Sequence, residues 1–143
     1  MKRVLLLVLG AAFAALPALA QQRSFSCVGA EKLEDDVFSL AFQLGSARLT
    51  DAARSPLAAA IEAALADPDR NICILGHAGQ EGGASTSIQL AAQRARAVTN
   101  AMAAQGVGVE RLRAEARSAQ FSPAIRAAEP PSRTVTIVLM PAP

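Results

Sequence analysis

Gly76 to Val98 reads GHAGQEGGASTSIQLAAQRARAV. A glycine-rich stretch, Gly76 to Gly83, gives way to Ser85, Thr86 and Ser87, and then to a run without Gly or Pro. Ser and Thr side chains accept from free amides at a helix start, so these three offer N-caps. Ala91, Ala95, Val98 and Met102 recur at spacings of three and four, the core face of a long helix. Gly106 stands where a left-handed C-terminal cap belongs. Just upstream, Ile72, Cys73, Ile74 and Leu75 form a continuous apolar run bounded by turn residues, which predicts a central strand covered on both faces.

Further out, Phe38, Leu40, Phe42 and Leu44 alternate with smaller or polar residues, the period of a half-buried strand that Gly45-Ser46 ends. Ser55-Pro56 predicts a helix start, with Ser as N-cap and Pro at the first helical position. Thr50 is a competing earlier cap, which would leave Pro56 inside the second turn. Leu57, Ile61 and Leu65 form that helix's apolar stripe, and Asp67-Pro68 stops it. Arg113 to Arg117 is a weak strand with a charged outer face. Ser118 to Pro131 reads as a loop or short helix, and Arg133 to Met140 as a strong final strand. Helices linking successive strands predict parallel neighbours, and two substantial helices most simply cover one face of the sheet.

The chain has 143 residues, 14 Lys+Arg, 12 Asp+Glu, one His, two Cys and a formal net charge of +2. That content fits one domain. Lys2 and Arg3 account for the whole excess charge. They precede an apolar run, Val4 to Leu16, and an Ala18-Leu19-Ala20 cleavage pattern. Residues 1–20 therefore read as a secretory signal peptide, with Gln21 starting the mature chain. The alternative, a membrane anchor, needs a longer apolar run. Ser24-Phe25-Ser26 before Cys27 is unlike a lipoprotein signal, and no later run is long enough to span. Residues 21–36 read as a polar, flexible lead-in with a short strand near Cys27, and residues 37–141 as the domain.

The balanced remainder supplies no phosphate-neutralising excess, so a nucleic-acid partner is not expected. One His and two distant Cys make no metal set. Cys27 and Cys73 are the only possible intrachain disulfide in an exported chain; two separate thiols remain the alternative. His77 has no acidic companion at catalytic spacing, and the glycine cluster lacks the Lys and Ser/Thr of a phosphate loop. No enzyme activity and no cofactor are expected. Arg96, Arg111, Arg113 and Arg117 read as a solvated face balanced by Glu110 and Glu115.

The opening segment resembles the signature of OmpA-like domains, peptidoglycan-binding modules of bacterial envelopes. Gly76 and His77 match its start, Gly82 its loop glycine, and Leu90, Arg94, Ala95 and Val98 its helix at the same separation. Phe42 to Leu49 (FQLGSARL) is similar to the family's first strand and turn. Gly106, Val107, Arg111 and Leu112 resemble its G-V-x-x-x-R-L connection, Pro123 a loop proline, and Arg133 with Val135 the last strand's start. The resemblance covers Phe38 to Met140. It implies a two-layer α+β sandwich of βαβαβ(α)β order, with helices mainly on one face of a mixed sheet.

The resemblance further implies a periplasmic module, associated with the outer membrane or cell wall and free of a transmembrane segment once mature. In the family a loop Asp grips the ammonium of diaminopimelate in the stem peptide, and the helix Arg grips its carboxylate. The implied ligand set here is Gly76, His77, Gly79, Glu81, Ser87 and Arg94. The chain departs from the pattern. Gly79 occupies the Asp position, Ala78 the preceding Thr, Ser87 the Asn, Ala91 the Ser after Leu, and Ala119-Gln120 the later glycine-glutamate element. Glu81 is a candidate replacement carboxylate. Arg94 is either the retained half of the clamp or a structural arginine pairing with Glu115 or another carboxylate. Two readings follow: weakened peptidoglycan binding, or a degenerate domain serving as an interaction or scaffold part of an envelope assembly.

Overall fold

The computed structural model describes residues 21–81, 84–118 and 133–143. The leader at 1–20, Gly82 and the segment 119–132, with Ala119, Gln120, Pro123 and the expected loop or short helix, lie outside the described residues.

The described elements are β1 (Val37–Ala41), α1 (Asp51–Ala66), β2 (Ile72–His77), β3 (Gly79–Glu81), β4 (Ala84–Thr86), α2 (Ile88–Ala104), β5 (Leu112–Arg117) and β6 (Thr134–Leu139). Short 3₁₀ turns cover Ala30–Lys32 and Val109–Arg111. Four strands form one sheet in the order β1-β6-β2-β5, and β3 and β4 form a separate hairpin. This is an α+β fold with a mixed sheet.

β2 and β5 are parallel across α2, as a helical crossover requires. The expected parallel pairing of β1 with β2 is not made. β6 lies between them, antiparallel to both, with Leu40 opposite Val135 and Ile74 opposite Ile137. Val135, Ile137 and Leu139 are buried together with Ile72 and Ile74 under the helices. An inner position suits such a strand, because both its faces and both its edges leave water.

Three boundaries differ from the sequence reading. β1 ends at Ala41, and Leu44 is 64% exposed beside the left-handed turn at Gly45. α1 starts at Asp51 with Thr50 as N-cap, so Pro56 lies inside the helix. Proline there removes one amide bond, to the Ala52 carbonyl, on an exposed turn. The longer helix in exchange buries Ala53 on the sheet. Finally, the glycine-rich loop folds in part as the β3–β4 hairpin, with Gly79 opposite Thr86.

α1 is also rotated relative to its expected stripe. Ala53, Ala60 and Ala64 are its fully buried residues. Leu57 and Ile61 are half-buried at the flank, and Leu65 is 49% exposed. Small side chains allow the helix axis to sit close to the sheet. α2 follows its pattern: Ala91, Ala95, Val98 and Met102 are buried, and Gly106, at φ +96°, turns the chain out of the helix.

The back of the sheet is covered by the N-terminal segment, which is neither loose nor a strand. Cys27 is bonded to Cys73, with Cα atoms 5.8 Å apart. Cys27, Ala30, Cys73, Leu75 and Val138 form a second core, flanked by Phe25, Leu33 and Val37. The arginines of β5 face this segment. Arg113 donates to the Phe25 carbonyl at 2.9 Å, and Arg117 donates to the Cys27 carbonyl at 2.7 Å. Glu115 accepts from both guanidiniums, at 2.7 Å and 3.0 Å. Arg111 is buried and donates to the Asp67 and Arg70 carbonyls at 2.8 Å, satisfying acceptors just past the end of α1. The expected solvated arginine face holds for Arg96 and Arg113, which are exposed, but not for Arg111 and Arg117, which are drawn in as clamps.

Candidate functional site at the hairpin end of the sheet

Gly76 fixes how close α2 comes to β2. An added Cβ would stand 2.1 Å from the Ala91 carbonyl oxygen, so only hydrogen fits there. Strand alternation then sends the neighbouring His77 to the opposite face.

His77 is 1% exposed and its Nε2 lies 2.8 Å from the Thr136 hydroxyl. It borders a cavity of about 190 Å³ under the N-terminal segment, with Glu31, Ser39 and Leu75. Burial lowers its pKa to about 4; the positive charge of Arg117 acts in the same direction and Glu31 opposes it. His77 is thus neutral at neutral pH and lies on the face away from α2. The ring protonates below pH 6.5 in the unfolded chain, but only near pH 4 in the folded one. The unfolded state therefore binds more protons within that window, and stability falls on acidification through it. The slope approaches about 1.4 kcal/mol per pH unit and flattens outside the window. Urea titrations at stepped pH should show it, and His77→Gln should remove it.

Arg94 lies on the other face and is fully buried. Its Nε donates to the Ser46 carbonyl at 2.7 Å, and one terminal nitrogen donates to the Gln43 carbonyl at 3.0 Å. The other terminal nitrogen is 3.3 Å from the Thr86 hydroxyl, and the guanidinium sits 5.4 Å over the Phe42 ring. The planar fork thereby joins the β1–α1 turn to the base of the hairpin. Burial lowers its pKa, and the charge of Arg133 adds to the shift, so two cations share this end of the fold. Glu115 is engaged with Arg113 and Arg117.

Lysine cannot reproduce that fork from one nitrogen. Arg94→Lys should lower stability by about 2 kcal/mol, the order of one charge-assisted hydrogen bond. The urea midpoint should fall with an unchanged denaturant slope.

The remaining candidates gather at the hairpin. Gly79 pairs with Thr86 and has φ +153°, a conformation L side chains rarely adopt. The backbone there favours glycine. Ser87 caps α2, its hydroxyl accepting from the Leu90 amide at 3.0 Å. Glu81 takes its backbone place in β3, opposite Ala84; the direction of its carboxylate lies outside the described part. So Arg94, Gly79 and Ser87 lie at one end, joined through Thr86, while His77 stands apart. Phe42, Thr86 and the Gln43 and Ser46 carbonyls were missed by sequence reasoning. Backbone acceptors carry no residue signature, although Phe42, Gln43 and Ser46 all lie in the FQLGSARL stretch.

Among the described residues no group of three His, Cys, Asp or Glu side chains could hold a metal ion. One family model, described as the OmpA family, matches residues 41–135. The chain belongs to the OmpA family. Solved structures agree on the fold. The peptidoglycan-associated lipoprotein from Burkholderia pseudomallei is 24% identical, with a TM-score of 0.58 over 72% of this chain and 90% of that one. The OmpA-like domain of FopA1 from Francisella tularensis subsp. tularensis SCHU S4 is 18% identical, with a TM-score of 0.57 over 85% and 89%. The cell wall anchor of the T6SS from Pseudomonas aeruginosa is 19% identical, with a TM-score of 0.53 over 72% and 79%. No curated protein matches the chain.

Proposed function

We propose that this OmpA-family member is a non-catalytic module of the cell envelope, exported to the periplasm, that associates weakly with peptidoglycan stem peptides. The observation that supports this reading is the place of Arg94 behind the base of the hairpin, one terminal nitrogen 3.3 Å from the Thr86 hydroxyl at this end of the fold. An anionic terminus of a stem peptide suits that end. With Gly79 in the Asp position, the ammonium of diaminopimelate loses its partner there. A charge-assisted hydrogen bond is worth about 1.5–3 kcal/mol, so affinity falls roughly tenfold to a hundredfold against a member with both halves.

The complete burial of Arg94 and its bonds to Ser46 and Gln43 favour a second reading, a scaffold that no longer binds the wall. Co-sedimentation with purified sacculi separates the two. Weak recovery that a soluble diaminopimelate peptide competes away supports binding. No recovery of the folded protein at any loading leaves the scaffold.

A further inference from the structure

The outward turn of Leu57, Ile61 and Leu65 leaves an apolar groove between α1 and α2, with a volume of about 550 Å³. Ala101 and Ala104 supply its α2 wall. Arg54 and Glu62, both exposed, also line it, eight residues apart on α1. Ala58, also exposed, lies midway between them.

We propose that this groove docks a second copy of the chain, α1 against α1 in antiparallel orientation about a two-fold axis near Ala58. An arginine at one end of a helix flank and a glutamate at the other make that flank complementary to itself when reversed. Two-fold pairing brings each Arg54 to the partner's Glu62 and lays the two apolar flanks over each other. The small side chain of Ala58 at the axis permits close approach of the helices. Within the chain Arg54 pairs with Asp51 at 2.6 Å, but both side chains are at least 80% exposed. Such a pair holds its partners weakly, so exchange for an intermolecular contact is open. A contact confined to one helix flank is expected to give a weak, concentration-dependent dimer and not an obligate one.

Sedimentation equilibrium over a range of protein concentrations tests this. The wild type should show a monomer–dimer equilibrium. Glu62→Arg places two repulsive contacts in each dimer and should abolish it. Arg54→Glu combined with Glu62→Arg restores complementarity and should restore the dimer. These positions are exposed, so thermal melts of the variants should match the wild type. Both native cysteines are engaged in the disulfide, so Ala58→Cys carries one thiol, which a short bis-maleimide should join to its own copy. A monomer at every concentration overturns the proposal and leaves the groove to another occupant. A dimer indifferent to Glu62→Arg, or one in which Ala58→Cys fails to cross-link, places the interface elsewhere and overturns it as well.

Discussion

Gly76→Ala should lower the melting temperature by more than about 10 °C, corresponding to about 3 kcal/mol or more. The new methyl carbon would lie 2.1 Å from the Ala91 carbonyl oxygen and 2.8 Å from its carbon. Both are backbone atoms in the first turns of α2, so no rotamer change clears the space. α2 must move off β2, and that displacement loosens Ala95, Val98 and Met102 over Ile72 and Ile74. It also shifts Arg94, whose bonds hold the β1–α1 turn. Circular dichroism melts measure the loss. Ala91→Gly in the same chain should give no rescue, because the clash is with the carbonyl and not the side chain. Recovery of the wild-type midpoint in that double variant would show that the side chain sets the limit.

Cys27→Ala with Cys73→Ala should cost about 4 kcal/mol, the chain-entropy value for a bridge spanning a sequence separation of 46. Alanine avoids burying a hydroxyl at two positions that are 1% and 0% exposed. The loss should be uneven across the molecule. The helical face keeps its own core, whereas the N-terminal segment is then held to the back face by contacts such as Ala30 and the bonds from Arg113 and Arg117. Limited proteolysis should cut first within residues 21–33, and the urea midpoint should fall in parallel. An unchanged cutting pattern would show that these contacts hold the segment without the bridge.

The elements legible in the sequence are those whose burial is written in residue type. β2 is a continuous apolar run because both its faces are covered, and α2 carries a regular stripe ending at Gly106. α1 was misplaced at its start because Ser55-Pro56 is a strong local signal. Burial of Ala53, a tertiary effect, outweighs it. The rotation of α1 was hidden for a related reason: its closest contacts are alanines, which pattern reading discounts against Leu57, Ile61 and Leu65. The N-terminal segment is polar enough to pass for a loose lead-in, and only Cys27 hints at its attachment.

In the site, the motif located Arg94, but its partners are carbonyls that no residue type announces. The same motif groups His77 with Arg94. The period of two in a strand separates them once Gly76 is known to face α2.

The position of β6 between β1 and β2 has a consequence for how the chain reaches its fold. β6 is the last of the described strands to be synthesised, yet it supplies the inner rung to which β1 is hydrogen-bonded. Until it arrives, β2, α2 and β5 can assemble as a local unit, while β1 has no strand beside it. Closure therefore waits on contacts between residues about a hundred positions apart, such as Val37 with Val138, which slows folding relative to a sheet built in sequence order. A growing chain holds its apolar β1 and β2 edges open throughout that wait, the interval in which it is most exposed to pairing with another molecule.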